Sequence, residues 1–275
     1  MQAVCGLCPH HCHLSEGQTG FCRARKNVGG KVLSINYGKL TSLALDPIEK
    51  KPLARFHPGS YILSVGSFGC NLRCPFCQNH EISQADERFP VQEITPEKLV
   101  ELAGELSRKE QGNLGVAFTY NEPLIGFEFV RDTSKLLQAA GLSAVLVTNG
   151  TIEEAPLQEL LPFIDAMNID LKAFSEEFYR WVHGDLSTVK RTIAMAASSC
   201  HVEVTTLVIP GRNDSLEEME EEAAWIASLS PDIPLHISRY FPRWQWMEPA
   251  TEVRRIYELC RVAGKYLKFV YSGNC

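Results

Sequence analysis

The ten cysteines of this 275-residue chain are unevenly placed, and that placement constrains the fold more than any other feature. Seven fall in two tight groups: Cys5, Cys8, Cys12 and Cys22, then Cys70, Cys74 and Cys77. The opening Met1-Gln2-Ala3-Val4-Cys5 has no basic stretch and no apolar run, so no signal peptide is expected and the chain is assigned to the cytoplasm. Without a secretory signal, grouped thiols read as metal ligands rather than as a disulfide framework. Cys200 and Cys260 lie on helical patterns and read as small buried hydrophobes.

The second group has the spacing CxxxCxxC within Gly66-Ser67-Phe68-Gly69-Cys70-Asn71-Leu72-Arg73-Cys74-Pro75-Phe76-Cys77-Gln78-Asn79. A structural zinc site wants four ligands, and this loop offers three thiols, with His80 the nearest further candidate. Three thiolates suit a 4Fe–4S cluster with one iron left open to a ligand, zinc being the alternative. Phe76 is placed to shield such a cluster. The first group, Cx2Cx3Cx9C, is a complete four-thiol shell that zinc or a second 4Fe–4S cluster would fit. A closed shell is structural or carries electrons. Residues 1–30 have little periodicity and need a metal to fold them.

Two strand-like runs follow, Lys31–Tyr37 and Lys39–Leu45, then a loop with Pro47, Pro52 and Pro58. From residue 61 strands alternate with helices. Strands are expected at Tyr61–Ser67, Leu114–Thr119, Ser143–Val147, Ala166–Leu171, Val202–Ile209, Leu235–Ser238 and Leu267–Tyr271. Helices are expected from Thr95-Pro96-Glu97, and over Ile125–Ala140, Leu157–Phe163, Glu176–Val182, Thr188–Ser198, Leu216–Leu229 and Glu252–Ala263. Val/Ile/Leu-rich strands alternating with helices predict an α/β fold with a covered parallel sheet. The alternation fits a partial β/α barrel or a doubly wound sheet. Residues 1–60 form the expected Cys-rich segment and 61–275 the β/α domain.

Composition narrows the function. No stretch approaches the ~18 apolar residues of a membrane span. The net charge of −6 lacks the basic surplus of a nucleic-acid-binding protein, which makes nucleic acid an unlikely partner. Polar residues recur where strands end, as catalysis in β/α barrels requires. They are Tyr120-Asn121-Glu122-Pro123, Thr148-Asn149-Gly150, Asp170-Leu171-Lys172 and His236. Alternation puts Asp170 and Lys172 on one side of their strand. Glu203 or Thr205 is expected to point inward, Arg239 and Tyr240 to face substrate, and Trp244 and Trp246 to line the mouth or pack.

These motifs, in this order, resemble the radical S-adenosylmethionine (SAM) enzymes, which carry CxxxCx(aromatic)C after the first strand of a partial (β/α)6 barrel. The resemblance implies a 4Fe–4S cluster on Cys70, Cys74 and Cys77. Its open iron would hold SAM by the amino and carboxylate groups, and one electron would cleave SAM to a 5′-deoxyadenosyl radical. Glu122 stands where the family contacts the SAM amino group, though without the usual glycine pair. Thr148-Asn149-Gly150, Asp170, Lys172 and His236 resemble SAM-binding positions of glycyl-radical-enzyme activases, with Tyr120, Asn121 and Phe76 beside them. Cys-Gly-Leu-Cys-Pro-His-His-Cys from Cys5, Asp46-Pro47-Ile48-Glu49-Lys50-Lys51-Pro52-Leu53, and the cluster loop resemble the AmmeMemoRadiSam-system subgroup, relatives of pyruvate formate-lyase activating enzyme. Two features depart from it: Arg55 stands where His is expected before Phe56, and many members continue past the position of Cys275.

Implied partners are a reducing flavodoxin or ferredoxin, Memo-like and AMMECR1-like proteins, or a glycyl-radical enzyme. The leading expectation is hydrogen abstraction from an unidentified small molecule or protein. A glycyl-radical-enzyme activase is the alternative within the class, and an iron–sulfur electron carrier the alternative outside it.

Overall fold

The computed structural model describes residues 1–275. The first forty residues make small hairpins. β1 (Ala3–Val4) pairs with β2 (His13–Leu14), and β3 (Arg25–Val28) with β4 (Lys31–Ser34), both antiparallel. β5 (Lys39–Leu40) pairs with the distant β8 (Gln92–Glu93). The expected single strand Lys39–Leu45 is therefore split. Its second part is β6 (Ser42–Pro47), which runs antiparallel to β7 (Tyr61–Gly66) along the edge of the main sheet.

That sheet has eight strands in the order β14-β13-β12-β11-β10-β9-β7-β6. β9 (Gly115–Phe118), β10 (Ser143–Thr148), β11 (Ala166–Asp170), β12 (His201–Val208), β13 (Leu235–Arg239) and β14 (Val270–Gly273) all run parallel to β7. The order is sequential after β7, so each strand feeds a helix that returns on one side. The result is an open, partial β/α barrel, and its parallel strands all end on one rim.

The covering helices follow α1 (His80–Ser83), a single turn after the cysteine loop. They are α2 (Pro96–Ser107), α3 (Phe127–Ala139), α4 (Glu154–Leu160), α5 (Glu176–Trp181), α6 (Leu186–Ala197), α7 (Leu216–Leu229) and α8 (Val253–Ala263). Start signals are local. Thr95, Ser175, Asp185 and Ser215 each accept a backbone N–H three residues on, at 3.3, 3.4, 2.7 and 3.0 Å. The Asp185 cap starts α6 two residues before its expected beginning. The last expected strand, Leu267–Tyr271, shifts to Val270–Gly273. Tyr266 and Leu267 instead return their N–H groups to the Ala263 carbonyl and close α8, burying Leu267. Leu99, Leu137, Leu146, Ile193 and Ile226, all fully buried, belong to the main core between sheet and helices. No helix is long and apolar enough to cross a membrane.

The barrel floor is closed by the chain itself. After β6, Ile48 and Leu53 are fully buried against Ile62, Ala117, Val145 and Ala166. Asn168 donates to the Pro52 carbonyl at 2.8 Å. Glu203, fully buried on β12, accepts the amides of Ala54 and Arg55 at 2.9 and 2.7 Å, and pairs with His201 and His236 at 2.9 and 2.6 Å. Burial alone would raise its carboxyl pKa, but the two histidines and two amides hold it down near 2.

Leu53→Ala should lower stability by about 2–5 kcal/mol, read as a lower urea midpoint at unchanged slope. Because the folded pKa of Glu203 lies below its unfolded value, its contribution is complete above about pH 4.5 and is lost as pH falls toward 2. Glu203→Gln should therefore flatten the loss of stability across that acid window in pH-dependent denaturation.

Candidate active site

The cysteine loop leaves β7 at the sheet rim. Asn121, just past β9, accepts the Ser67 amide at 2.9 Å and donates to the Gly69 carbonyl at 3.0 Å, which fixes the start of the loop. Gly69 has φ +91°, and a β-carbon there would sit 2.5 Å from the Cys22 carbonyl. The loop is thus pressed against the N-terminal cysteine segment, at a distance only glycine permits.

Cys70 lies under N–H donors: the Leu72 amide reaches its Sγ at 3.3 Å and the Asn149 side-chain amide at 3.7 Å. Cys77 Sγ is 3.2 Å from Ser83 Oγ. Behind the thiols stands an apolar wall of Leu72, Phe76, Ala173, Phe178, Val182, Ile209 and Tyr240. Phe76 is buried against Phe178 and Trp181, with ring centroids 6.0 and 5.5 Å away. Burial pushes the Cys74 thiol up to about 12 and the Cys70 thiol well above its ordinary value. Both are neutral thiols that give up protons only in exchange for a metal.

The thiols face a cavity of about 280 Å³. Tyr120, Asn121 and Glu122 line it from β9, Thr148 and Asn149 from β10, and Asp170 and Lys172 from β11. Glu122, 2% exposed, accepts from the Leu124 amide, Thr148 Oγ1 and the Asn149 amide at 2.9, 2.7 and 2.7 Å. Burial outweighs these bonds and raises its carboxyl to about 7. Asn149 also donates to Asn71 Oδ1 at 2.9 Å, joining β10 to the cysteine loop. Lys172 Nζ is 2.6 Å from Asp170. Burial opposes the ammonium charge, but Asp170 and the neighbouring Cys74 and Cys77 raise its pKa well above normal. Tyr120 takes φ +71°, hydrogen-bonds Asp46 at 2.6 Å, and receives Asn79 on its carbonyl at 2.7 Å.

Several expected residues lie elsewhere. His236 does not line the cavity. It sits two residues below Ser238, which does, and it is held by Glu203 and stacked on Tyr271 with ring centroids 5.1 Å apart. Tyr240 is buried in the apolar wall, donating to the Trp246 carbonyl at 2.5 Å. Arg239 donates to the Thr251 carbonyl at 2.6 Å and lies over Phe241. Trp244 stacks on His80, and Trp246 packs edge-on against Trp181. Ser238 and Asn274 line the cavity without having been singled out. Ser238 was accessible from strand alternation two residues past His236; Asn274 gave no sequence signal.

In the N-terminal segment, Cys5, Cys8 and Cys22 are buried and Cys12 is half-buried. The Cys5 amide donates to the Cys12 carbonyl at 3.0 Å, and the Phe21 amide reaches Cys12 Sγ at 3.4 Å. His10 bonds the Asn71 carbonyl at 2.8 Å and His11 pairs with Glu153 at 3.2 Å, so neither is engaged with a thiol. The donor chemistry fits: soft sulfur ligands, N–H groups aimed at sulfur, and an apolar wall suit iron–sulfur at the loop, while four thiols suit zinc or iron–sulfur in the N-terminal segment.

A partial β/α barrel with three thiols on the loop after its first parallel strand, facing a polar cavity at the strand ends, defines an enzyme that works through a loop-bound metal cluster. The chain belongs to the radical SAM superfamily, whose sequence profile matches residues 64–226. Membership implies a 4Fe–4S cluster and SAM. The chain is 38% identical over 276 residues to an uncharacterised protein of Methanocaldococcus jannaschii, covering 98% of this chain and 80% of that one. It is 26% identical over 151 residues to pyruvate formate-lyase 1-activating enzyme of Escherichia coli, covering 53% of this chain and 60% of that enzyme. Among solved structures, SuiB of Streptococcus suis bound to S-adenosylmethionine shares the fold at TM-score 0.60 and 13% identity, over 78% of this chain and 52% of that one.

Gly69→Ala should drive the loop off Cys22. Iron bound after anaerobic reconstitution should fall by about half or more relative to wild type, measured with far-UV circular dichroism to show that the fold persists.

Proposed function

We propose that the protein binds SAM in the cavity beside Cys70, Cys74 and Cys77 and uses its reductive cleavage to abstract hydrogen from a small molecule or protein. The observation that carries this reading is the three-thiol loop facing a cavity whose other wall holds Glu122 and the Asp170–Lys172 pair. When bound, the cluster supplies the electron that splits SAM into methionine and a 5′-deoxyadenosyl radical. The chain's own residues do the positioning. Lys172 offers an ammonium to the SAM carboxylate, and Asp170 keeps it charged and aimed. Glu122 and the backbone it fixes at Thr148 and Asn149 offer oxygens toward the SAM amino group. Tyr120 and Asn121 shape the wall, and Phe76 keeps water from the thiols. His236 belongs to the barrel floor in this reading, two residues below the level at which SAM would sit.

The N-terminal thiols Cys5, Cys8, Cys12 and Cys22 hold a second metal centre, 4Fe–4S or zinc, within a segment spanning residues 1–60 that abuts the barrel of residues 61–275. A reducing flavodoxin or ferredoxin supplies the electron in the cell. The cysteine motifs and the Asp46–Leu53 stretch support placement in the AmmeMemoRadiSam-system subgroup, with Memo-like and AMMECR1-like proteins as companions. The likeness to pyruvate formate-lyase 1-activating enzyme favours a second reading, in which hydrogen is taken from a backbone glycine of a glycyl-radical enzyme.

Anaerobically reconstituted protein given dithionite and SAM should form 5′-deoxyadenosine. Ala at Cys70, Cys74 or Cys77 should abolish it while leaving the metal of the N-terminal segment in place. Turnover by the triple variant would defeat the assignment. Metal analysis of the same samples separates about four irons plus zinc from about eight irons.

A further inference from the structure

Arg73 lies inside the CxxxCxxC loop, and its guanidinium faces the N-terminal segment. It donates to the carbonyls of Cys70 and Leu72, both at 2.9 Å, and to the carbonyl of Phe21. It also stacks on the Phe21 ring, 3.9 Å from the centroid. Phe21 immediately precedes Cys22, so one side chain grips both cysteine segments. Every hydrogen-bond acceptor it holds is a neutral oxygen. No carboxylate is within ion-pair distance. Arg25 shows the ordinary arrangement: it holds both oxygens of Glu128, at 2.7 and 2.8 Å.

A half-buried guanidinium without a counter-ion is costly unless a negative charge arrives. Three of the grouped cysteines adjoin Arg73 or the groups it holds: Cys70 through the carbonyl it binds, Cys74 as the next residue of the loop, and Cys22 of the N-terminal set as the residue after Phe21. In the empty protein these are neutral thiols. Once metal is bound they are thiolates, and both centres carry net negative charge: four thiolates outweigh a zinc dication, and thiolate-ligated 4Fe–4S clusters are anionic as well.

We propose that Arg73 is the shared counter-charge of the two cysteine centres, and that it sets the reduction potential of the cluster on Cys70, Cys74 and Cys77 and couples that cluster electrostatically to the occupant of Cys5, Cys8, Cys12 and Cys22. The proposal rests on the metal-bound reading above. Adding an electron to a cluster is easier beside a fixed positive charge and harder beside a second anionic centre. The two influences have opposite signs, which makes them separable.

The test is a potentiometric titration of the reconstituted protein, followed by the electron paramagnetic resonance signal of the reduced loop cluster. Arg73→Gln should lower the midpoint about tenfold in the one-electron equilibrium, roughly 59 mV, with iron content retained. Arg73→Lys, which keeps the charge, should stay close to wild type. Arg254→Gln, an exposed charge on α8, should leave it unchanged. Cys5→Ala/Cys8→Ala, which empties the N-terminal centre, should move the midpoint upward. If Arg73→Gln fails to hold iron while Arg73→Lys holds it at the wild-type potential, charge is still the requirement and the proposal stands. An unchanged midpoint in Arg73→Gln overturns it. So does an equal shift, or equal loss of iron, in Arg73→Lys, which would make the residue a structural clamp only. No upward shift in the double cysteine variant overturns the coupling. These outcomes differ from failure of the metal-bound reading itself, which would appear as absence of loop-bound iron, or of any SAM effect on its signal, in the wild type.

Discussion

The Glu122 carboxylate accepts three hydrogen bonds at a depth where an unsatisfied charge would cost several kcal/mol. Two of them come from Thr148 and Asn149, so the ends of two neighbouring parallel strands are locked to one group. Asn149 then reaches Asn71 and Cys70, and Asn121 holds Ser67 and Gly69. The rim is therefore fixed by a chain of buried amides and one carboxylate rather than by hydrophobic contact. Apolar packing builds the barrel walls, but it has no directional preference strong enough to aim three thiols at one cavity. Hydrogen bonds have that preference, and here each is made in a site with little water to compete.

The opposite end works by the same rule with different parts. Glu203 ties the segment after β6 across the barrel floor, and Asn168 holds Pro52 beside it. From that segment Lys51 reaches Asp46 at 2.9 Å, and Asp46 receives the Tyr120 hydroxyl. Floor and cavity wall are thus joined by side-chain bonds through the interior, and Tyr120 is held in its left-handed backbone conformation from both directions.

Much of this was legible in the sequence because it is written in short-range patterns. Alternating strands and helices gave the parallel sheet, and the capping residues Thr95 and Ser215 marked helix starts. The residue types at strand ends led to the cavity at Glu122, Thr148, Asp170 and Lys172. What was not legible depends on layers. Alternation says that His236 points inward, but not at what height, and height is decided by Glu203, 33 residues away in sequence. Tyr240 and Arg239 were expected to face substrate. Which side of the rim they occupy is set by the loop carrying Trp246 and Thr251, whose path has no periodicity to read. The split of Lys39–Leu45 into two strands follows from long-range partners, β8 and β7, that no local propensity encodes. Arg73 was hidden for another reason: within a cysteine motif, a lone arginine reads as filler until its missing counter-ion is seen.

The burial that raises the thiol pKa values also governs what the chain is like before any metal arrives. Cysteine attacks and is oxidised as the thiolate, and a thiol pushed to about 12, as at Cys8 and Cys74, is almost never in that form at neutral pH. At those two positions the unloaded chain is slow to oxidise and slow to cross-link. Burial thus keeps those two sulfurs unreactive until a metal displaces their protons, while Cys12 and Cys77 stand partly open.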